Sequence, residues 1–190
     1  MDRIAAILAR IDAANERDPN LETTTDGPVP AAFLYGRRMT QVLQDFEPSA
    51  SDELKIAARG QHIERWKRPR ADYPEGRIGY LNWRKDAAQY HAARVSALMQ
   101  EAGYDGSACD RVSDLMLKKN LKTDHESQTL EDVACLVFFR WYADAFSDKY
   151  AERVLPVVIK TARKMSAKGR AAALALGLPP HVAEAIAGAG

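Results

Sequence analysis

The stretch Tyr80 to Ala102, Y-L-N-W-R-K-D-A-A-Q-Y-H-A-A-R-V-S-A-L-M-Q-E-A, decides the fold class. It holds neither Gly nor Pro, and Arg84, Ala88, His91, Val95 and Leu98 recur at the spacing that lines one face of an α-helix. Gly103 follows in the position after a helix end that tolerates positive φ. The spacing therefore predicts a long helix over 80–102, with an Arg and a His two turns apart on one face. Alternating Val/Ile/Thr runs that would signal strands are not found on either side of it. The expected fold is all-α: a single helical bundle of about seven to nine helices over residues 1–190.

Immediately upstream, Arg59 to Arg84 reads R-G-Q-H-I-E-R-W-K-R-P-R-A-D-Y-P-E-G-R-I-G-Y-L-N-W-R. Seven basic residues (Arg59, Arg65, Lys67, Arg68, Arg70, Arg77, Arg84) stand against Glu64, Asp72 and Glu75, together with His62 and two of the three Trp. A solvated helix face lacks this density of aromatics and turn residues, so Lys67 to Gly79, with Pro69, Pro74, Gly76 and Gly79, is expected as a structured loop over the bundle centre. Guanidinium forks interleaved with rings suit a flat or anionic ligand.

Further from the centre, Ile4, Ile7, Leu8 and Ile11 have helical spacing, stopped by Asp18-Pro19-Asn20. T-T-T-D-G-P-V-P is expected as a loop, and Leu34 to Phe46 as a second helix. Ser49 with Asp52 resembles a capping box opening a helix of roughly 51–65, and Ser107 with Asp110 resembles another. Thr129 with Asp132 resembles a third, opening the hydrophobic run E-D-V-A-C-L-V-F-F-R-W-Y-A-D-A-F. A further helix is marked by Leu155, Val158, Ile159, Ala162 and Met165, and two short ones flank Gly177.

Composition narrows the partners. With 27 basic and 26 acidic residues the net charge is +1, so attraction is local and a bulk nucleic-acid or membrane binder is disfavoured. No apolar run reaches the length of a membrane span. Cys109 and Cys135 stand alone, without a CxxC, which fits a reducing cytoplasm.

Gly60 to Arg84, Leu121 to Phe138 (L-K-T-D-H-E-S-Q-T-L-E-D-V-A-C-L-V-F) and the early L-Y-G-R-R-M together resemble the family called domain of unknown function 4202. The resemblance covers nearly the whole chain and implies no activity. His62-Ile63-Glu64-Arg65 and Lys164-Met165-Ser166-Ala167-Lys168 are similar to the HIGH and KMSKS signatures of aminoacyl-tRNA synthetases. Those signatures work on a doubly wound parallel sheet, for which this chain has no strands, so a glutamyl-tRNA synthetase is not expected. More distantly, the chain resembles the HD-domain metal phosphohydrolases. In that register Tyr35 to Met39, Ala57 to Ile63 and Leu130 to Leu136 match the three motifs. Tyr35 then stands at the first His, Gln61-His62 stands at His-Asp, and only Asp132 is kept. An HD-like topology with an altered ligand set is what this resemblance implies.

The candidate reacting cluster is His62, His91 and Asp132. These residues, with Glu131 or Glu64, are also the candidate ligands of a divalent metal. Asp132 can equally sit at a helix N-terminus without chemistry. Arg65, Arg70, Arg77, Arg84, Lys119 and Lys122, with Tyr73, are the candidate anion site, walled by Trp66, Tyr80 and Trp83. The function expected is hydrolysis of a small phosphorylated or nucleotide-like molecule. The alternative is a non-catalytic HD-like module that binds an anionic ligand or RNA and regulates a partner.

Overall fold

The computed structural model describes residues 2–143 and 154–189. They fall into two compact units, Met1–Gln41 with Ser49–Lys119, and Val42–Pro48 with Asn120–Gly190. Nine α-helices are found among the described residues, with one two-stranded sheet.

The first unit opens with α1 (Arg3–Asn15), whose first turn is capped by the Asp2 carboxylate accepting from Ile4 N. A hairpin of β1 (Leu21–Thr24) and β2 (Gly27–Pro30) follows, then α2 (Ala31–Phe46), whose residues from Val42 on count with the second unit, and α3 (Asp52–Gly60), α4 (Gly76–Glu101) and α5 (Gly106–Met116). Helix α5 packs on α3 and α4, and α1 packs on the same two helices. Ile7 and Ile11 of α1, Leu54 and Ile56 of α3, Val95 and Met99 of α4, and Val112 and Leu115 of α5 are buried between them. Burying an Ile, Leu or Val side chain contributes roughly 1.5–3 kcal/mol, which fixes the inward faces. Arg59, at the end of α3, is buried with them because its guanidinium forks onto Asp12 of α1 at 2.7 and 2.9 Å.

In the second unit, α6 (His125–Val137) runs into a π-helical turn, Phe138–Tyr142. It is followed by α7 (Val154–Ala162), α8 (Ala167–Leu174) and α9 (Pro180–Ala187). Helix α6 packs on α8, and α9 packs on α7 and α8. The end of the expected hydrophobic run, 144–146, lies outside the described residues.

The all-α class and the short helices on either side of Gly177 agree with the sequence, and Gly103 takes φ 77° after α4. Three features depart from it. T-T-T-D-G-P-V-P forms most of a hairpin, pairing Leu21 with Pro30 and Thr24 with Gly27, and Gly27 takes φ 114°. Its strands are four residues long and hold two prolines, so they lack the alternation that marks a strand. Helix α4 begins at Gly76, and the expected loop before it is built from two 3₁₀ turns, Arg65–Lys67 and Arg70–Asp72. The caps are also displaced. Ser51, Asp105 and Asp124 cap α3, α5 and α6, receiving the amides of Leu54, Ala108 and both Glu126 and Ser127. Where several Ser, Thr and Asp precede an apolar run, any of them can accept those amides, and the spacing alone selects the wrong one. Thr129 and Asp132 consequently lie inside α6, both buried.

Candidate functional site

Helix α3 ends against α4 at a point where only glycine fits: a Cβ on Gly60 would stand 2.5 Å from the Val95 side chain. The chain then turns sharply. Ile63 is buried and Glu64 takes φ 51°, a left-handed conformation uncommon for a non-glycine residue. The turn sets the half-buried His62 ring flat on Tyr35 of α2, centroids 4.2 Å apart. His91 of α4 lies 5.8 Å from His62, and Tyr90 meets His91 edge-on at 5.9 Å. Four rings, Tyr35, His62, His91 and Tyr90, thus form one row.

Both histidines are held neutral. His91 is pushed down to about 4 by burial, reinforced by the Arg65 and Arg68 charges, while its bond to Ile63 and the Glu64 charge oppose the shift. Its Nδ1–H donates to the Ile63 carbonyl at 2.6 Å, which fixes the tautomer and leaves Nε2 as a bare acceptor. His62 is driven well below its usual range by burial and then by Arg65, His91, Lys118 and Arg84. Three cations therefore bear on one imidazole.

Glu64 is closed to solvent, and its own demands are met. It accepts from the Tyr90 hydroxyl at 2.5 Å, and Lys67 and Arg94 approach it at 2.9 and 3.3 Å. Burial raises its carboxyl while these three partners lower it, and the net shift is downward; burial and the Glu64 carboxylate push the Tyr90 hydroxyl up to about 12. The Arg68 guanidinium stacks over Tyr90 at 4.4 Å, and that of Arg65 over Trp83 at 4.9 Å. The Trp83 indole N–H donates to the Arg68 carbonyl, tying the 3₁₀ turns to α4.

The expected anion residues divide. Arg65 and Arg84 act on His62. Arg70 turns back on its own loop, donating to the Tyr73 and Pro74 carbonyls at 2.7 and 2.8 Å, and burial, then the Asp86 carboxylate, push the Tyr73 hydroxyl above its ordinary range. Arg77 is exposed in the first turn of α4. Lys119 pairs with Asp114 at 2.6 Å, and Lys122 is exposed in the second unit. The lysine that does act on His62 is Lys118, whose φ of 57° is again left-handed. Asn120, two residues on, also takes a positive φ, 58°, and an Asn at such a place is the usual local sign of this turn. Tyr35, which the HD-like register set at the position of the first His, also joins the row, as does Tyr90, which no motif had singled out.

Asp132 belongs to the second unit. Its Oδ1 accepts from Ser166 N at 2.9 Å and from the Gln128 side chain at 3.0 Å, and its Oδ2 accepts from the Ser166 hydroxyl at 2.5 Å. Ser166 in turn caps α8 through Gly169 N. Buried but satisfied, this carboxylate anchors a helix start from the middle of α6, not from a helix N-terminus. Ser166 of K-M-S-A-K is thereby a structural cap. Among the described residues no group of three or more His, Cys, Asp or Glu side chains is placed to hold a metal ion, and no helix is long and apolar enough to cross a membrane.

The model of one protein family, described as Domain of unknown function (DUF4202), matches residues 5–186. No curated protein and no solved structure matches the chain, so the HD-like topology remains a resemblance of motifs.

Proposed function

We propose, on the premise that the chain belongs to that family, that its first unit binds a small phosphorylated or nucleotide-like anion over the row Tyr35, His62, His91 and Tyr90. One observation carries this reading: the charges bearing most strongly on the half-buried, neutral His62 are the cations Arg65, Lys118 and Arg84. An anion beside these side chains offsets the positive potential that they set up at the imidazole. Guanidinium groups suit phosphate oxygens, and Tyr35 and Trp83 offer ring faces beside them.

Such an anion also changes His62. By countering the three cations it lifts the part of the downward shift that they cause, though not the larger part due to burial, and so strengthens the imidazole as a base toward an attacking water. Hydrolysis of the bound phosphoester is the reaction that arrangement serves, with His62 as general base. The non-catalytic reading, a binding module that regulates a partner, is favoured by a different observation. Of the buried acids among the candidates, Glu64 is engaged by Tyr90, Lys67 and Arg94, Glu131 by Lys164, and Asp132 by Ser166 and Gln128.

Calorimetric titration with inorganic phosphate, pyrophosphate and a nucleoside monophosphate tests the binding, and a phosphatase panel with and without added divalent metal tests turnover. Binding that Arg65→Ala and Arg84→Ala each weaken about tenfold is expected, the scale of one charge-assisted hydrogen bond. Titrations showing no anion binding, or binding untouched by both variants, overturn the reading. Turnover abolished by His62→Ala selects the hydrolase over the module.

A further inference from the structure

His91 is 2% exposed, and its Nδ1–H is committed to the Ile63 carbonyl, so Nε2 carries a lone pair that needs a donor. No donor reaches it. The other buried side-chain polar atom without a partner among the described residues is Gln61 Oε1, again an acceptor, one residue before His62. One orphaned acceptor thus belongs to the imidazole packed against His62, and the other to the residue before His62 in the chain. Leaving a buried acceptor unmade is costly, and buried polar atoms without partners are rare enough to need a reason.

We infer that the ligand of this site is a phosphate ester whose body carries a hydroxyl or amino donor, the phosphate meeting Arg65, Arg84 and Lys118 and the donor meeting His91 Nε2 and Gln61 Oε1. This rests on the anion-binding reading above and narrows its ligand class. Inorganic phosphate, carboxylic acids and simple alkyl phosphates satisfy the cations alone; sugar phosphates and nucleotides satisfy both sets of groups. Protonation is a poor substitute for a donor at Nε2, because burial, and after it the Arg65 and Arg68 charges, oppose a positive charge there. As the chain stands Nε2 is closed to solvent, so the donor reaches it with a side-chain movement. His62, half-buried and 5.8 Å from His91, is the ring the inference moves. It is held by its stack on Tyr35 and its ring contact with His91, and a ligand ring or sugar face can replace the stack.

The test compares methyl phosphate, which has no donor in its body, with ribose 5-phosphate, by calorimetry on the full chain and by nitrogen NMR of the imidazole side chains. Ribose 5-phosphate is expected to bind about tenfold more tightly and to move the His91 Nε2 resonance, which methyl phosphate leaves in place. His91→Phe and, independently of any folding defect in that variant, Gln61→Leu should shrink the preference, read as the ratio of the two affinities within each variant. Failure of both esters to bind overturns the anion site itself. Equal affinity for both in the native chain, or a preference that survives both substitutions, overturns the donor inference and leaves the anion site standing.

Discussion

Tyr35 and His62 stack with centroids 4.2 Å apart and planes 21° from parallel, so the imidazole lies between a phenol face and the ring of His91. A proton on either imidazole would face Arg65, and in the folded chain both are kept neutral. That gives stability a pH dependence whose sign is fixed. An unfolded chain takes up these protons near pH 6.5, whereas the folded chain refuses the one on His91 until about 4. Between those values the unfolded state binds more protons, so stability is full above about 6.5 and falls as the pH drops toward 4. For His91 the loss amounts to roughly 3 kcal/mol. Glu64, held below its ordinary 4.5, adds its own loss only in the more acid range, so the slope between 6.5 and 5 belongs to the histidines. Urea unfolding at a series of pH values should show this slope, flattened in His91→Phe. A variant that loses stability in parallel with the native chain refutes the assignment.

Lys118 and Lys119 are neighbours with opposite assignments. Lys118 acts on His62, while Lys119 pairs with Asp114 at 2.6 Å. Lys118→Ala should weaken binding of a phosphate ester about tenfold, the worth of a charge-assisted contact. Lys119→Ala should change it by no more than about twofold, because a surface ion pair contributes roughly 0–1 kcal/mol and touches no ligand. Titration of the two variants side by side separates them, and equal losses remove Lys118 from the site.

What the sequence revealed followed physical range. Helices α1, α4 and α6 were legible because their apolar spacing is dictated by burial within the element itself. The hairpin at Leu21–Pro30 was not, since its prolines and short strands suppress alternation and only D-G hinted at a turn. At the proposed site, the basic stretch holds His62, Arg65 and Arg84 and the predicted helical face holds His91, and the two histidine rings come to 5.8 Å from each other with Arg65 and Arg84 acting on His62. Arg70 looked like a ligand residue because sequence shows charge and not direction; its guanidinium bends onto two carbonyls of its own loop. Lys118 and Tyr35 reach His62 across long sequence separations, which no local pattern encodes. Asp132 was readable as an exceptional acid but not as a fully bonded one, because its donors sit 34 residues away on Ser166.

Arg59 belongs to the basic stretch by sequence and to the core by structure. Its side chain is 6% exposed, it is fork-bonded to Asp12 at 2.7 and 2.9 Å, and it also donates to the Thr40 hydroxyl at 2.9 Å. Removing one partner of such a pair strands the other charge, so Arg59→Ala should cost roughly 3–5 kcal/mol of unfolding free energy. Replacing both residues, Asp12→Leu with Arg59→Met, should recover most of that loss, since no unpaired charge remains. Denaturant midpoints of the three variants decide the matter; a loss under about 1 kcal/mol for Arg59→Ala would make the pair incidental.

Gly169 lies inside α8, where replacing Gly by Ala ordinarily stabilises a helix by about 0.8–1.0 kcal/mol. Here a Cβ would stand 2.6 Å from the Asp132 carboxyl carbon and Oδ1. The carboxylate cannot simply withdraw, because it holds Ser166 N, the Ser166 hydroxyl and Gln128. Overpacking of this kind costs roughly 1–3 kcal/mol, so Gly169→Ala should destabilise the chain on balance. Asp132→Ala should also destabilise it, by roughly 1–3 kcal/mol, since buried donors lose their acceptor. The two effects are not additive, because shortening Asp132 removes the obstruction to the new methyl group. In the Asp132→Ala background, Gly169→Ala should therefore be neutral or stabilising. Thermal melts of the two single variants and the double variant measure this coupling. If Gly169→Ala instead raises the melting temperature of the otherwise native chain, the close approach of α8 to Asp132 does not exist in solution.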